Sequence, residues 1–175
     1  MSDTPRVGTP GTQTGNTIRD SALGLAPETV SEIIALNGHV WNDTIVPPAL
    51  LEIIRLRNAR TVNCVFCKSV RYDVARADGL TEERAAMIAP GYQDSALSER
   101  EKSAIALADC YLGFPAGIAP DVAPRLAAAF TREEIAAALV ALMTFNFTSR
   151  TAVSIGGMPE EPLPIIELSV SVTTD

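Results

Sequence analysis

Two stretches of this chain declare helices through their own local chemistry. Ser98 is followed three residues later by Glu101, and Thr131 by Glu134. In such a pair the hydroxyl and the carboxylate reciprocally satisfy backbone N–H groups that a helix start leaves without partners. Behind the first pair lies an alanine-rich segment running to about Tyr111. Behind the second lies the longest run of all, AAALVALMTFNFTSRTAVSI. Two long helices in the second half oblige the remainder to pack against them.

The remainder reads the same way. A helix is expected from Pro27, with Val30, Ile33, Ile34 and Leu36 on or near one face and Trp41 near its end. Pro47-Pro48 interrupts the backbone and suits the first turn of a second helix, from about Pro48 to Ala59. Asn63 is expected to cap the start of a third, from Cys64 to about Ala77, with Gly79 ending it. Thr81, with Glu82 and Glu83 in the first turn, opens a short helix that stops before Pro90. The stretch GFPAGIAPDVAP is a loop with one helical turn around residues 122–129.

The ends have a different character. Residues 1–17 hold almost nothing apolar and are expected to form a mobile tail, because they bury too little to offset the entropy of ordering. After Gly156-Gly157 a Pro-rich connector leads to ELSVSVT, whose period-two alternation fits a strand or an arm packed on a neighbour. The expected architecture is therefore all-α, a bundle of about six to seven helices over residues 18–158, with a flexible tail at 1–17 and an extended C-terminal arm at 159–175.

Charge and cysteine usage narrow the function. With 175 residues a single domain buries enough surface to be stable without a metal or disulfide staple. A formal net charge of −7 is the wrong sign for binding nucleic acid, which takes dense Lys and Arg. No run of eighteen apolar residues is present, so no membrane span is expected, and the first residues lack the basic segment and apolar block of a secretory leader. Three cysteines, two of them in C-x-x-C, do not make a secreted disulfide framework. A cytoplasmic protein with redox or metal chemistry is the expectation.

The chemistry concentrates between Glu52 and Arg76. Cys64 and Cys67 lie about one helical turn apart, near enough to join. At a helix start, unpaired N–H groups and the helix dipole favour a thiolate, and Lys68 and Arg71, four residues after each cysteine, add positive charge. On helical spacing Cys67 shares a stripe with Val70, Val74 and Ala77, so Cys64 is expected to be the more exposed sulfur. Glu52 stands among Leu50, Leu51, Ile53 and Ile54, where a carboxyl is partly withdrawn from water and suited to proton transfer. The plainer reading makes Glu52 an ion-pair partner of Arg55.

Glu52, eleven intervening residues and Cys64-x-x-Cys67, with RLRNAR between them, resemble the carboxymuconolactone decarboxylase / AhpD-like family of alkylhydroperoxidases. The resemblance runs from about Val40 to Met158 and includes LSEREKSAIALADCYLG and FTREEIAAALVALMTFNFTSR. It implies a helical bundle that assembles as homo-trimers or hexamers. It also implies a peroxiredoxin-type antioxidant enzyme, with Cys67 attacking a hydroperoxide, Cys64 resolving the sulfenic acid into a disulfide, and Glu52 relaying protons. A thiol or dithiol donor would return the pair to its reduced form, and no cofactor or metal is implied. The chain departs from the family at two histidine positions, which are Arg71 and Phe66 here. Arginine stabilises a thiolate or sulfenate but does not shuttle a proton, so Arg71 is a candidate site residue with an altered role.

Other readings stand beside this one. The cysteines can simply pack in a non-redox member of the same fold, a small-molecule lyase, isomerase or binding protein. Cys64, Cys67, Cys110 and His39 together would total a Cys₃His zinc set. Cys110 alone reads as a small core residue, His39 as a capping or packing residue, and Tyr72 and Asp73 as outward-facing. Alanine-rich helices at 104–108 and 136–141 and the C-terminal arm would also serve assembly.

Overall fold

The structure, a computed structural model, describes residues 7–11, 13–16, 18–156 and 159–170. Its elements in order are α1 (Pro27–Asn42), α2 (Pro48–Val62), α3 (Val65–Ser69), β1 (Val70–Tyr72), α4 (Asp73–Ala77), α5 (Glu82–Ala86), α6 (Glu99–Leu112), α7 (Ala123–Ala129), α8 (Arg132–Ile155) and β2 (Ile166–Leu168). The fold is all-α, with one short two-stranded ribbon.

Both capping boxes form as written in the sequence. The Ser98 hydroxyl accepts from the Glu101 N–H while the Glu101 carboxylate accepts from the Ser98 N–H, and Thr131 with Glu134 repeats the exchange. α2 is the axis of the molecule. Leu50 through Leu56 are buried without interruption, and Asn58 and Ala59 follow. A helix enclosed on all sides takes its neighbours around its whole circumference, and here α3, α4, α6 and α8 all pack on it. Leu51, Ile53, Ile54 and Leu56 meet Ile105 and Leu107 of α6 and Leu142 and Phe145 of α8 in one core. α8 is long and apolar enough, by length and composition alone, to cross a membrane. Here it packs on α1, α2 and α6, and it carries Arg132, Glu133 and Glu134 in its first turn.

The third helix departs from expectation. Asn63 does not open it. Asn63 instead closes α2 in the left-handed conformation (φ 59°, ψ 38°), donating its N–H to Arg60 O while the Cys64 N–H reaches Ala59 O. Those two bonds make a Schellman ending, and Asn is the residue other than Gly that adopts this conformation most readily. Cys64 is the cap of α3, its sulfur accepting the Cys67 N–H at 3.2 Å.

The helix expected over 64–77 is then split by β1 into α3 and α4, which brings the number of α-helices among the described residues to eight. The reason is competition for carbonyls. Arg55 donates to Cys67 O and Val70 O, and Arg71 donates to Lys68 O and Val70 O. A carbonyl held by a guanidinium is a poor acceptor for the next helical turn, and β-branched Val70 settles into the extended region.

β1 pairs in parallel with β2, Val70 opposite Ile166 and Tyr72 opposite Leu168. The C-terminal arm thus forms its strand on the segment that follows the cysteine pair. Residues 171–175 of that arm, and residues 1–6, 12 and 17 of the expected N-terminal tail, lie outside the described residues. Thr14 and Gly15 of the tail are tied to the segment that follows: Asp20 accepts from the Thr14 hydroxyl and from the Thr14 and Gly15 N–H groups.

Candidate active site

Cys64 and Cys67 are joined by a disulfide across a Cα–Cα distance of 5.2 Å. Their exposure is the reverse of the expected one. Cys64 is fully buried, and Cys67 is partly exposed on the wall of a cavity. The left-handed turn at Asn63 causes the reversal: it tucks Cys64 beneath the new helix as its cap, so the stripe drawn on one continuous helix does not exist.

The cavity holds about 290 Å³. It is lined by Arg55 of α2, Phe66 and Cys67 of α3, Val70 and Tyr72 of β1, and Phe145, Thr148 and Ser149 of α8. Ile18 and Leu23 from the N-terminal side and Pro159, Leu163 and Leu168 from the C-terminal arm complete the walls. The Ser69 hydroxyl ties the arm down by donating to Leu163 O. Such a chamber, mostly apolar with a few converging polar groups, is the usual form of a small-molecule site.

Beneath it sits a closed ion pair. Glu52 is 1% exposed and Arg55 is 5% exposed. Arg55 Nε donates to Glu52 Oε2 at 2.7 Å and Nη2 to Oε1 at 2.6 Å. Burial alone would pull the guanidinium down, but the charge and hydrogen bonds of Glu52 outweigh it, and Arg55 is held above its ordinary range. The same guanidinium grips the Cys67 carbonyl, so the pair fixes the backbone of the exposed cysteine.

Arg71 points elsewhere. It is buried, its guanidinium is forked onto Glu82 at 3.0–3.2 Å, and it does not line the cavity. Tyr72, expected to face outward, turns inward: it stacks on Trp41 with ring centroids 4.2 Å apart, lies 5.4 Å from the Arg55 guanidinium, and lines the cavity. Burial raises the Tyr72 phenol's pKa, opposed by Arg55 and by a hydrogen bond with Asn37. Asp73 is the first residue of α4, and its carboxylate accepts from the Val74 N–H.

The four members of the zinc set do not converge. Cys64 and Cys67 are bridged, Cys110 is a free, half-buried thiol, and His39 Nδ1 lies 2.5 Å from Asp43 on the surface.

Ser149 and Asn58 had no part in the sequence reading. The Ser149 hydroxyl donates to Cys67 Sγ at 3.4 Å, and Asn58 Nδ2 donates to Ser149 Oγ at 3.1 Å. A faint signal existed for each. Asn58 interrupts a buried helix, and Ser149 falls four residues after Phe145 on the inward face of α8.

Comparison with known proteins gives the fold its context. No family model matches the chain. An uncharacterized protein found in two strains of Mycobacterium tuberculosis is 33% identical over 109 residues, 62% of this chain. The chain spans 38% of the length of those relatives. A crystal structure from Agrobacterium tumefaciens superposes with a TM-score of 0.66 at 24% identity, covering 78% of this chain and 94% of the other. That protein is of unknown function and bears the provisional description of an antioxidant defence protein AhpD. The likeness is one of fold: the chain has an all-α, AhpD-like architecture.

Proposed function

We propose that the chain is a thiol-dependent oxidoreductase that cycles Cys64 and Cys67 between dithiol and disulfide, with a hydroperoxide as oxidant. The single observation that carries this reading is the bridged pair with one sulfur on a cavity wall and the other sealed behind it. In the forward step the Cys67 thiolate attacks the terminal oxygen of the hydroperoxide. An S–O bond forms, the O–O bond breaks, and the departing alkoxide takes up a proton and leaves as an alcohol. Cys64 then attacks the sulfenic sulfur, forming the disulfide and releasing water. An external thiol or dithiol returns two electrons by exchange. Proton handling is assigned to the Glu52 carboxylate, with Arg55 holding it in place and taking no part in the transfer. Arg71 shapes the segment by holding Glu82 and two carbonyls.

A protein whose dithiol must be re-reduced suits a reducing compartment such as the cytoplasm. Val140, Met143 and Phe147 form an exposed apolar stripe on α8 that suits a homo-oligomer contact.

The test is direct. Reduced protein titrated with an organic hydroperoxide is expected to lose about two thiols per peroxide and gain an intramolecular disulfide. A Cys67→Ser variant that reacts as fast as the parent would overturn the assignment of the nucleophile. One observation favours a non-redox reading instead: Glu52 is already committed to Arg55. An apolar non-peroxide ligand bound in the cavity, with both reduced thiols inert to alkylation, would establish that reading.

A further inference from the structure

From the surface of α8 to Cys67 runs a single file of hydrogen bonds that the redox reading above does not use. Arg150 Nε donates to Asn146 Oδ1 at 2.9 Å, and Asn146 Nδ2 donates to Asn58 Oδ1 at 2.7 Å. Asn58 Nδ2 donates to Ser149 Oγ at 3.1 Å, and the Ser149 hydroxyl donates to Cys67 Sγ at 3.4 Å. The inner members are buried, Asn58 at 0% and Ser149 at 3% exposure.

The direction of this file is dictated at its outer end. A guanidinium only donates, so the Asn146 oxygen must face Arg150 and its amide nitrogen must face inward. That nitrogen needs the Asn58 oxygen, which turns the Asn58 nitrogen onto Ser149. With its oxygen already accepting, the serine hydroxyl directs its hydrogen to the sulfur. A hydrogen bond from a buried neutral donor favours the charged form of the group that accepts it.

We propose that Ser149 is the hydrogen-bond donor that holds the Cys67 thiolate, with Asn58 and Asn146 as positioning residues that aim it. This rests on Cys67 being the reacting sulfur. Ser149 keeps its hydrogen throughout; no bond of the serine is made or broken. The donor is available before attack on an oxidant and again when the disulfide is reduced and Cys67 regains its charge. It supplies stabilisation without proton transfer, on a site where the residue four positions after Cys67 is an arginine turned to Glu82.

The charged and titratable groups around Cys67 are the Glu52–Arg55 pair of α2, Tyr72 of β1, the buried Cys64, and Lys68 and Arg71, which are turned to Asn63 and Glu82. Arg55 grips the Cys67 backbone carbonyl, whereas the side-chain donor to Cys67 Sγ is Ser149. The serine's effect is therefore separable.

The experiment measures the alkylation rate of the lone Cys67 thiol against pH in a Cys64→Ser background, where no peroxide enters. Ser149→Ala is expected to raise the thiol's apparent pKa by roughly one unit, about a tenfold loss of thiolate at pH values below it. Ser149→Thr, which keeps the hydroxyl, is expected to stay near the parent, and Asn146→Ala to shift part of the way. In the chain with both cysteines, at a pH high enough that Cys67 is ionised in parent and variant alike, Ser149→Ala is expected to lower the reduction potential of the pair by about 30 mV, the equivalent of that tenfold change. A folded Ser149→Ala protein with the parent's pH profile and potential overturns the proposal. Should Ser149→Ala fail to fold, an Asn146→Ala profile identical to the parent overturns it equally. A thiol shifted as expected in a protein inert to hydroperoxide would sink the peroxidase reading and leave this one standing.

Discussion

At the scale of single residues the centre of the molecule is a buried charge pair, and its energetics decide what substitution there means. Glu52 and Arg55 are both out of water, and each satisfies the other through two hydrogen bonds. Removing one charge strands its partner in a medium that solvates it poorly. Glu52→Gln is therefore expected to cost about 3 kcal/mol of stability, read as a fall in the denaturant midpoint. Pairing it with Arg55→Met is expected to recover part of that loss, since no uncompensated charge then remains. A Glu52→Gln protein as stable as the parent would show that the pair is not what holds α2 to the cysteine segment. Kinetic effects of the same substitution must be read against that stability change.

At the scale of elements, what was legible in the sequence divides by the range of the forces involved. The starts of α6 and α8 were readable because Ser98–Glu101 and Thr131–Glu134 satisfy each other three residues apart. The continuous helix expected over 64–77 does not form because its interruption is imposed from elsewhere. Arg55 claims carbonyls twelve and fifteen residues away, and β2 pairs with β1 from the other end of the chain. Asn63 differs from expectation for a subtler reason: asparagine suits both the start of one helix and the left-handed residue that ends another. The reversed exposures of Cys64 and Cys67 follow from that one difference. Ser149, separated from Cys67 by 82 positions, shows in the sequence only as a polar residue on the inward face of α8, with nothing to tie it to the cysteine.

Two expectations belong at this scale. At Asn63 a β-carbon is strained in the left-handed region, so Asn63→Ala is expected to cost about 1 kcal/mol and Asn63→Gly a few tenths at most, compared by urea unfolding. Glu101 has a lowered pKa. Burial opposes the lowering, but the Ser98 hydroxyl and N–H and the Arg84 guanidinium outweigh it. A carboxylate depressed in the folded state contributes stability above its unfolded pKa, about 4.3, and loses that contribution as pH falls through the folded value. Glu101→Gln is thus expected to flatten the acid side of the stability profile while leaving its neutral-to-alkaline shape unchanged.

At the scale of the whole molecule, the cavity is closed by the two segments that looked peripheral. Ile18 and Leu23 precede the bundle, and Leu163 and Leu168 follow it. The arm is fixed by the β1–β2 ribbon, by the Ser69 bond to Leu163 O, and by Arg76 with Glu167 at 3.4 Å. Removing everything after Pro159 is expected to leave the helical core folded and to speed alkylation of reduced Cys67 severalfold. Circular dichroism and thiol-labelling rates together check this. A change in molecular size on the same truncation would show that the arm also joins copies of the chain.

The burial of Cys64 behind Cys67 gives the bridge one door. An incoming reductant meets only the outer sulfur, so the transient adduct forms there and the inner sulfur is always the one released. Exposed to a small disulfide or an oxidised dithiol donor, Cys64→Ser should therefore accumulate a mixed disulfide at Cys67, the other half of the reagent leaving as a thiol, visible as an added mass. Cys67→Ser should collect none, and an equal yield from both variants would mean that the hidden sulfur has a way out.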